Sequence, residues 1–187
     1  GAFPPPPAVE AKDDSTLRSR CCHRGSQTRR VRCDSCAGDV ELKAFYIDKY
    51  EVTNEDYKQF CDATAHTVPP YWTAKNFPKG LEKHPVAQVS WADAAAYARW
   101  AGKRLPTDAE WVRVAACPSA GQGSVIQRRF PWGDELDPAR ANLWITSLEH
   151  PAPVGAFNSG ASSNGVEQLI GNVWEWTFDC WREPGAV

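Results

Sequence analysis

The hydrophobic positions between residues 41 and 63 follow first a strand pattern and then a helix pattern. Residues 44–47 form a short aromatic and β-branched run, which predicts a strand. Thr53 and Asp56 stand at the spacing of an N-terminal capping box, which predicts a helix from there to about Ala63. Apolar residues recur within it at intervals of three and four, so one face turns towards a core and carries Tyr57, Phe60 and Cys61.

Two further capping boxes predict two more helices. Ser90 and Asp93 open the first, which is rich in alanine and stops at Gly102, a natural residue to follow a helix. Thr107 and Glu110 open the second, so the chain must turn sharply between the two helices. We expect this last helix to end near Ala116, with an inward face formed by Trp111 and by Val114 or Ala115.

Most of the remaining sequence has the composition of loops. Residues 64–85 contain four prolines, and the chain after Cys117 is again rich in turn-forming residues. Residues 171–176 predict a strand, with Val173, Trp174 and Trp176 buried. A few helices, short strands and much loop together predict an α+β domain.

The first forty residues differ from the rest, so we predict an arm over residues 1–40 and a domain over residues 41–187. Four consecutive prolines within residues 1–7 favour an extended polyproline II conformation. Residues 18–32 contain six arginines and no acidic residue. A short basic run without interleaved aromatic residues is more typical of a solvated arm than of a patch for an acidic partner, and we favour the arm.

Composition and charge exclude some classes of protein. Lys+Arg 21 and Asp+Glu 23 nearly balance over 187 residues and leave a net charge of -2. Without an overall basic field, nucleic acid is disfavoured as a partner. No stretch approaches the roughly 18–20 apolar residues of a membrane span. The sequence contains no Met, and we interpret the chain as processed, trimmed or partial.

The seven cysteines predict an exported protein, periplasmic or extracellular, because so many thiols are typical of an oxidising compartment. Those of the arm suit either a zinc site shared with His23 or disulfides that tie down a segment with little core. We favour disulfides, because adjacent cysteines cannot easily face one metal; the candidates are Cys21, Cys22, Cys33 and Cys36. Cys61 is interpreted as a small buried apolar residue.

Several strings of the sequence are too specific to be general helix or loop patterns. They occupy residues 46–54, 84–86 with 89–91, 100–111, 131–134, 153–155 and 171–177. In this order they closely resemble the formylglycine-generating enzyme family, also called sulfatase-modifying factors, over roughly residues 44–181. The resemblance implies an α+β, C-type-lectin-like fold that is loop-rich, low in regular secondary structure and here without its C-terminal part.

The resemblance also implies a chemistry, and this sequence departs from it. Family members are known for oxidising a sulfatase cysteine to formylglycine with molecular oxygen and a copper(I) ion held by two cysteines. Those cysteines follow the string at 171–176 by more residues than this sequence contains before Val187. Among the cysteines present, a Cys117–Cys180 disulfide is favoured over a copper pair. We therefore expect no catalytic residues and no copper in the chain as given, and copper only if a further C-terminal region exists.

Calcium is the second cofactor that the resemblance implies, in a structural role. One family site corresponds here to Asn142 and Leu143, but the matching downstream ligands are missing. The other corresponds to Glu175, Gly171 and Val173, with the neutral Gln168 where relatives carry Asn or Asp. For Glu175 a purely structural carboxylate remains an equal alternative.

Other residues of these strings have structural interpretations. We expect Arg104 to bind loop carbonyls and a carboxylate such as Asp134, and Glu110 to serve as the capping acid. The histidines show no metal-ligand spacing. Six tryptophans are expected mostly in the core, namely Trp91, Trp100, Trp111, Trp132, Trp174 and Trp176.

These patterns favour a non-catalytic member of the family, a module for protein or ligand binding and an accessory subunit of a larger exported assembly. Protein partners are expected at the arm or at the domain surface. The alternative is a fragment of the copper-dependent oxidase that produces formylglycine.

Overall fold

The computed structural model describes residues 19–20, 29–33, 38–117, 128–146 and 148–179. Its strands form two small antiparallel pairs: β1 (Ser19–Arg20) pairs with β4 (Tyr46–Ile47), and β2 (Arg29–Cys33) pairs with β3 (Gly38–Leu42). The strand predicted at 44–47 is thus present as β4. The β2–β3 hairpin runs across residue 41, where we placed the boundary between arm and domain; that division stays a prediction.

Three helices confirm the predictions made from the capping boxes. They are α1 (Asn54–Thr64), α2 (Trp91–Trp100) and α3 (Asp108–Ala116). In each box the N-cap hydroxyl accepts from the backbone N–H three residues on, and the acid there accepts from the N-cap N–H. Gly102 follows α2 with a φ of 70°, which suits glycine after a helix. The β2–β3 hairpin contacts α3.

The core consists of two apolar clusters. The first lies under α1, where the predicted inner face of Tyr57, Phe60 and Cys61 packs with Trp72. The second joins Val114 and Ala115 of α3 to Val166 and Leu169. Residues 65–90 between α1 and α2 contain no helix or strand, as predicted. After α3, the regular structure of the described residues is limited to short 3-10 turns at Pro138–Arg140, Trp144–Thr146 and Asn158–Gly160.

The strand predicted at 171–176 does not form. These residues are bends and irregular chain, and no described strand pairs with them. Trp174 is fully exposed and Trp176 is 49% exposed, so their predicted burial is wrong. A strand needs a hydrogen-bonded neighbour as well as a suitable residue pattern, and the described chain supplies none here.

The tryptophans as a group are also less buried than predicted. Among the six named above, Trp91, Trp174 and Trp176 are exposed, while Trp100, Trp111 and Trp132 are half-buried. Among the described tryptophans, the buried one is instead Trp72 in the loop after α1. None of the helices in the described part of the chain has the length and apolar character that a membrane span requires.

Candidate binding cavity

A cavity of about 590 Å³ opens between β4, α2, the start of α3 and residues 173–176. Its size is within the range of ligand-binding sites in proteins. The apolar part of its wall combines aromatic side chains with small and branched residues of α2 and of the segments beside it. Residues of this wall include Ile47, Val52, Val89, Ala94, Ala98, Leu105, Val166 and Leu169.

One edge of the cavity is the irregular segment 173–176, which side chains fasten to α2. The indole N–H of Trp176 donates to the carbonyl of Val89 at 3.0 Å, and that of Trp91 donates to the carbonyl of Thr177 at 2.8 Å. No hydrogen bond among the described backbone groups uses the N–H or C=O groups of residues 173–176. These groups are therefore available to an added strand, and the exposed ring of Trp174 stands beside them.

Three of the carboxylates that line the cavity are paired with basic side chains. The most regular pair joins Arg104 to Glu110, with two parallel hydrogen bonds of 2.7 Å. The carboxylate that we expected for Arg104, Asp134, instead accepts from the backbone N–H of Arg129. Arg104 finds Glu110 because the capping box holds that acid at the turn. The other two pairs are Asp48 with Lys103 at 2.7 Å and Glu167 with Lys49 at 3.1 Å.

Glu51, a fourth carboxylate of the wall, has an amide as its partner. Both its oxygens accept from Nδ2 of Asn172, at 3.2 and 3.0 Å. Burial raises the pKa of Glu51 to about 8; the bond from Asn172 lowers it, and the nearby charge of Glu175 raises it further. No lysine or arginine of the described chain pairs with Glu51.

Asn172 fixes the position of Glu51 by binding three parts of the chain at once. Its Oδ1 accepts from Nδ2 of Asn142 at 3.0 Å and from the N–H of Ala152 at 2.7 Å. Its backbone has a φ of 53°, a left-handed conformation that asparagine tolerates better than most residues. At the neighbouring position 171 only glycine fits, since a Cβ atom on Gly171 would lie 2.2 Å from the carbonyl oxygen of Asn142.

Glu175 is the fifth carboxylate of the wall. Its Oε2 accepts from the indole N–H of Trp111 at 2.5 Å. The residue as a whole keeps contact with solvent, whereas its carboxyl group is desolvated. This desolvation raises the pKa of Glu175 to about 7, and the bond from Trp111 opposes the rise.

Two buried polar atoms of residues in the cavity wall have no hydrogen-bond partner among the described residues. The hydroxyl of Tyr57 is one; this side chain is 1% exposed. The other is Oε2 of Glu167, whose second oxygen binds Lys49. Both atoms are enclosed by protein, so they are exceptions to the rule that buried polar groups are paired.

The residues predicted for the first calcium site do not fit a cation. Oδ1 of Asn142 accepts from the hydroxyl of Thr146 at 3.2 Å. The carbonyl of Leu143 accepts from the same hydroxyl at 2.6 Å and from the N–H of Thr146 at 2.9 Å. Donors of Thr146 therefore point at both oxygens that we expected to bind calcium.

The residues predicted for the second calcium site fit better. Both amide atoms of Gln168 are buried without a partner among the described residues, and the residue has a positive φ of 57°. No hydrogen bond within the described chain ends on the carbonyls of Gly171 or Val173. These carbonyl oxygens are of the kind that calcium prefers, and Glu175 adds a carboxylate whose Oε2 already accepts from Trp111.

The cysteine predictions fall mostly outside the described residues. Cys21, Cys22, Cys36 and Cys180 lie there, and of Cys33 only the backbone is described, at the end of β2. Cys61 and Cys117 are buried and bonded to no other cysteine of the described residues. Because Cys180 lies outside these residues, the predicted bridge between Cys117 and Cys180 stays a prediction. Burial raises the pKa of both thiols and keeps them neutral. The described residues include no cluster of three or more His, Cys, Asp or Glu suited to a metal ion.

Several residues of the cavity were not predicted from the sequence. Glu51 and Asn172 lie within two of the strings that carry the family resemblance, but they are 121 positions apart. No local pattern indicates their contact. The unpaired hydroxyl of Tyr57 was also missed, because the helical period correctly predicted burial and says nothing about the phenol oxygen.

The chain is a loop-rich α+β domain. Segments that are far apart in the sequence form its candidate binding site. The chain belongs to the sulfatase-modifying factor enzyme 1-like domain family, which matches residues 15–186. This confirms the family that the sequence strings indicated.

Enzymes are among the relatives of this chain. It is 35% identical to a formylglycine-generating enzyme of Thermomonospora curvata, in a match that covers 76% of this chain and 62% of that protein. It is 32% identical to the mouse formylglycine-generating enzyme, in a match that covers 87% of this chain and 57% of that protein. A hercynine oxygenase of Mycolicibacterium smegmatis is 36% identical over 74% of this chain and 38% of its own length. The chain thus spans less than two thirds of these curated relatives.

Proposed function

We propose that this domain is a non-catalytic module that binds an extended polypeptide at the cavity. The observation that carries the proposal is the edge formed by residues 173–176, where unpaired backbone groups, exposed tryptophans and an open cavity coincide. Strand addition uses such features, because the main chain provides affinity and alternate side chains enter pockets. A small ligand would fill the cavity but would leave the backbone groups of this edge to solvent.

The chemistry of the described thiols supports binding over oxidation. Copper(I) prefers thiolates in low coordination, whereas Cys61 and Cys117 are buried and neutral. Cys61 belongs to the cluster under α1 and Cys117 caps the end of α3. These two cysteines do not fit a copper pair.

Selection of short random peptides displayed on phage tests the binding proposal. We expect peptides that bind the intact chain and lose affinity for the Trp174→Ala variant. The matched control is Trp144→Ala, because Trp144 is 99% exposed but does not line the cavity. Peptides that bind both variants equally, or a selection that enriches none, would contradict a polypeptide site at this edge.

The alternative function is the oxidation of a cysteine residue to formylglycine, as part of a copper-dependent enzyme. It is supported by the similarity to proteins named formylglycine-generating enzyme. The assay incubates the chain with copper(I), oxygen and a cysteine-containing sulfatase peptide and traps the aldehyde product with a hydrazide. Aldehyde formation above the level of the copper-only control would favour this alternative and contradict the non-catalytic proposal.

Calcium, where bound, would be held by Gln168, Gly171, Val173 and Glu175 and would supply structural cross-linking of this segment. The free amide of Gln168 supports this assignment. Thermal unfolding with and without a chelator tests it, and we expect a lower melting temperature in chelator for the wild type but not for Glu175→Gln. An unchanged melting temperature would leave Glu175 as a structural carboxylate.

The other expectations complete the proposal. A C-type-lectin-like architecture, export and a place in a larger assembly accord with family membership, and protein binding through residues 1–40 is a separate possibility from the cavity. Competition on the intact chain provides the measurement: a peptide bound at the cavity should not displace a partner held by the arm, whereas it should displace a partner that binds at the cavity.

A further inference from the structure

A short segment of irregular chain, residues 175–179, crosses the starts of α2 and α3, and we call it the strap. Two hydrogen bonds of opposite direction fasten it to the start of α2. The indole N–H of Trp176 donates to the carbonyl of Val89, and the indole N–H of Trp91 donates to the carbonyl of Thr177. Val89 and Trp91 lie on either side of the N-cap of α2, so the strap is fixed to this helix at two neighbouring points.

Three hydrogen bonds fasten the strap to the start of α3. The backbone N–H of Asp108, the first residue of the helix, donates to Oδ2 of Asp179 at 2.6 Å. The backbone N–H of Phe178 donates to the carbonyl of Pro106 at 2.7 Å. The third bond runs from the indole N–H of Trp111 to the first residue of the strap, at 2.5 Å. A carboxylate at a helix N-terminus also interacts favourably with the helix dipole, so the strap and α3 suit each other electrostatically.

The strap contributes little to the apolar core. Trp176 is 49% exposed and Phe178 is 54% exposed, and neither core cluster includes a residue of the strap. Segments that are held by exposed hydrogen bonds and bury little apolar area open at a lower free energy than the whole domain unfolds. The strap therefore has the properties of a segment that opens locally.

Asn172 gives the strap a fixed base. Its N–H donates to the carbonyl of Asn142 at 2.9 Å, and its side chain binds three other parts of the chain, as described above. Val173 and Trp174, between this base and the strap, take part in no hydrogen bond between backbone groups of the described chain. A hinge consists of a few loop residues that absorb a change in φ and ψ, and these two residues suit that role. Because residues 173–176 line the cavity, a movement about this hinge would open the cavity on one side.

We propose that the strap is a lid on the cavity, which releases its hydrogen bonds as one unit and swings about Val173 and Trp174 while the rest of the domain stays folded. Consecutive residues of the strap bind α3, α2, α2, α3 and α3 in that order. The strap therefore cannot leave one helix without displacing its bonds to the other. The lid controls access to the cavity for any ligand that the cavity takes, so it goes beyond the proposed function and is independent of it.

Hydrogen exchange of the indole N–H groups, followed by NMR on the intact chain with labelled tryptophan, tests this proposal. Trp91, Trp111 and Trp176 each use the indole N–H in a bond between the strap and a helix start. The same spectrum contains two references. Trp72 is buried and its indole is bonded within the core, whereas the indole of Trp132 forms a local bond outside the strap and the cavity wall. Tryptophan-to-phenylalanine variants assign the signals.

We expect the three strap indoles to share one degree of protection and Trp72 to be protected about 100-fold more strongly. Trp91→Phe keeps an aromatic ring but removes one bond, so exchange at Trp111 and Trp176 should both become about fivefold faster, with no change at Trp72. Trp132→Phe removes a comparable indole bond elsewhere and should leave the strap indoles unchanged.

Three results would overturn the proposal. Strap indoles with unrelated protection, or a Trp91→Phe effect confined to Trp176, would show that the bonds open independently. Protection of the strap indoles equal to that of Trp72 would place the strap in the folding unit of the core. Should Trp91→Phe also accelerate Trp72, Trp176→Phe repeats the test at the two remaining indoles, and the same acceleration of Trp72 there would contradict a separate lid.

A second measurement tests whether this opening gives access to the cavity. Ala98 lines the cavity and is 6% exposed, so a thiol placed there by Ala98→Cys should react with a small thiol reagent only when the cavity opens. Mass spectrometry of the peptide that contains this position follows the labelling. The rate should be about fivefold higher in the Trp91→Phe background and unchanged in the Trp132→Phe background. Equal rates in the two backgrounds would contradict the lid, even where the indoles show that the strap opens as one unit.

Discussion

Replacing Asn54 with alanine should destabilise the domain more than any single surface change. Asn54 is the first residue of α1 and is 1% exposed. Its Oδ1 accepts from the hydroxyl of Tyr71 and from the indole N–H of Trp72. Its Nδ2 donates to the carbonyls of Leu81 and His84 at 2.9 and 3.2 Å. One amide thus joins α1 to the long loop that follows it.

The magnitude follows from what each partner keeps after the substitution. The carbonyls of Leu81 and His84 retain backbone donors, and the Tyr71 oxygen still accepts from the N–H of Ala87. The buried indole N–H of Trp72 loses its only partner among the described residues, which costs about 1–3 kcal/mol. With about 1 kcal/mol for each of the three further bonds lost, we expect a destabilisation of roughly 4–6 kcal/mol.

Urea unfolding followed by tryptophan fluorescence measures this change in the free energy of unfolding. The control is Asn76→Ala, because Asn76 is exposed and its side chain makes one local bond, to the carbonyl of Ala74. It should change stability by less than about 0.5 kcal/mol. In the background of Trp72→Phe, which has no N–H to leave unpaired, Asn54→Ala should cost about 1–2 kcal/mol less. A loss below about 1 kcal/mol, or equal losses in both backgrounds, would refute the reasoning.

Three further predictions concern the cavity wall. The pKa of Glu51 rises from 4.5 to about 8 on folding, so between these values the folded state binds the additional proton and stability falls as the pH rises. At about 1.4 kcal/mol per pKa unit this contribution reaches at most about 5 kcal/mol. In thermal unfolding, the stability of Glu51→Gln relative to the wild type should therefore increase from about pH 5 to pH 9. Gly171→Ala should cost at least about 2 kcal/mol in urea unfolding, since its Cβ would meet the Asn142 oxygen at 2.2 Å. The control is Gly165→Ala, which has a similar φ of 79° but open space and should cost about 1 kcal/mol. Equal costs for the two variants would contradict the contact with Asn142. Tyr57→Phe should leave the unfolding free energy unchanged or raise it slightly, because the hydroxyl it removes is buried and unpaired, and a loss above about 1 kcal/mol would reveal a partner.

The features that depended on neighbouring residues were predictable from the sequence. The capping boxes at Thr53, Ser90 and Thr107 each need only a hydroxyl and an acid three positions apart, so they located the starts of the three α-helices that the structure describes. The inner face of α1 followed from its apolar period, as the burial of Tyr57 and Phe60 confirms. In these cases the energy that determines the structure comes from contacts within one turn or one face of a helix.

The features that depended on distant contacts were not predictable. The pattern at 171–176 predicted a strand with buried tryptophans, but the outcome depends on whether another strand lies alongside, and local sequence carries no such information. Arg104 shows the same limit at shorter range: we expected a carboxylate such as Asp134, but the geometry of the turn brings Glu110 to Arg104. The sequence alone did not distinguish the two candidate calcium sites. The structure distinguishes them, because Thr146 binds the oxygens of Asn142 and Leu143 at the first site.

Glu51 connects the stability of the domain to its proposed function. A desolvated carboxylate without a counter-charge weakens the folded state at neutral and alkaline pH, and glutamine would avoid this cost while keeping an amide within reach of Asn172. A residue that lowers stability where a neutral one would serve is typical of a binding site, because sites are built for the complex and not for the free domain.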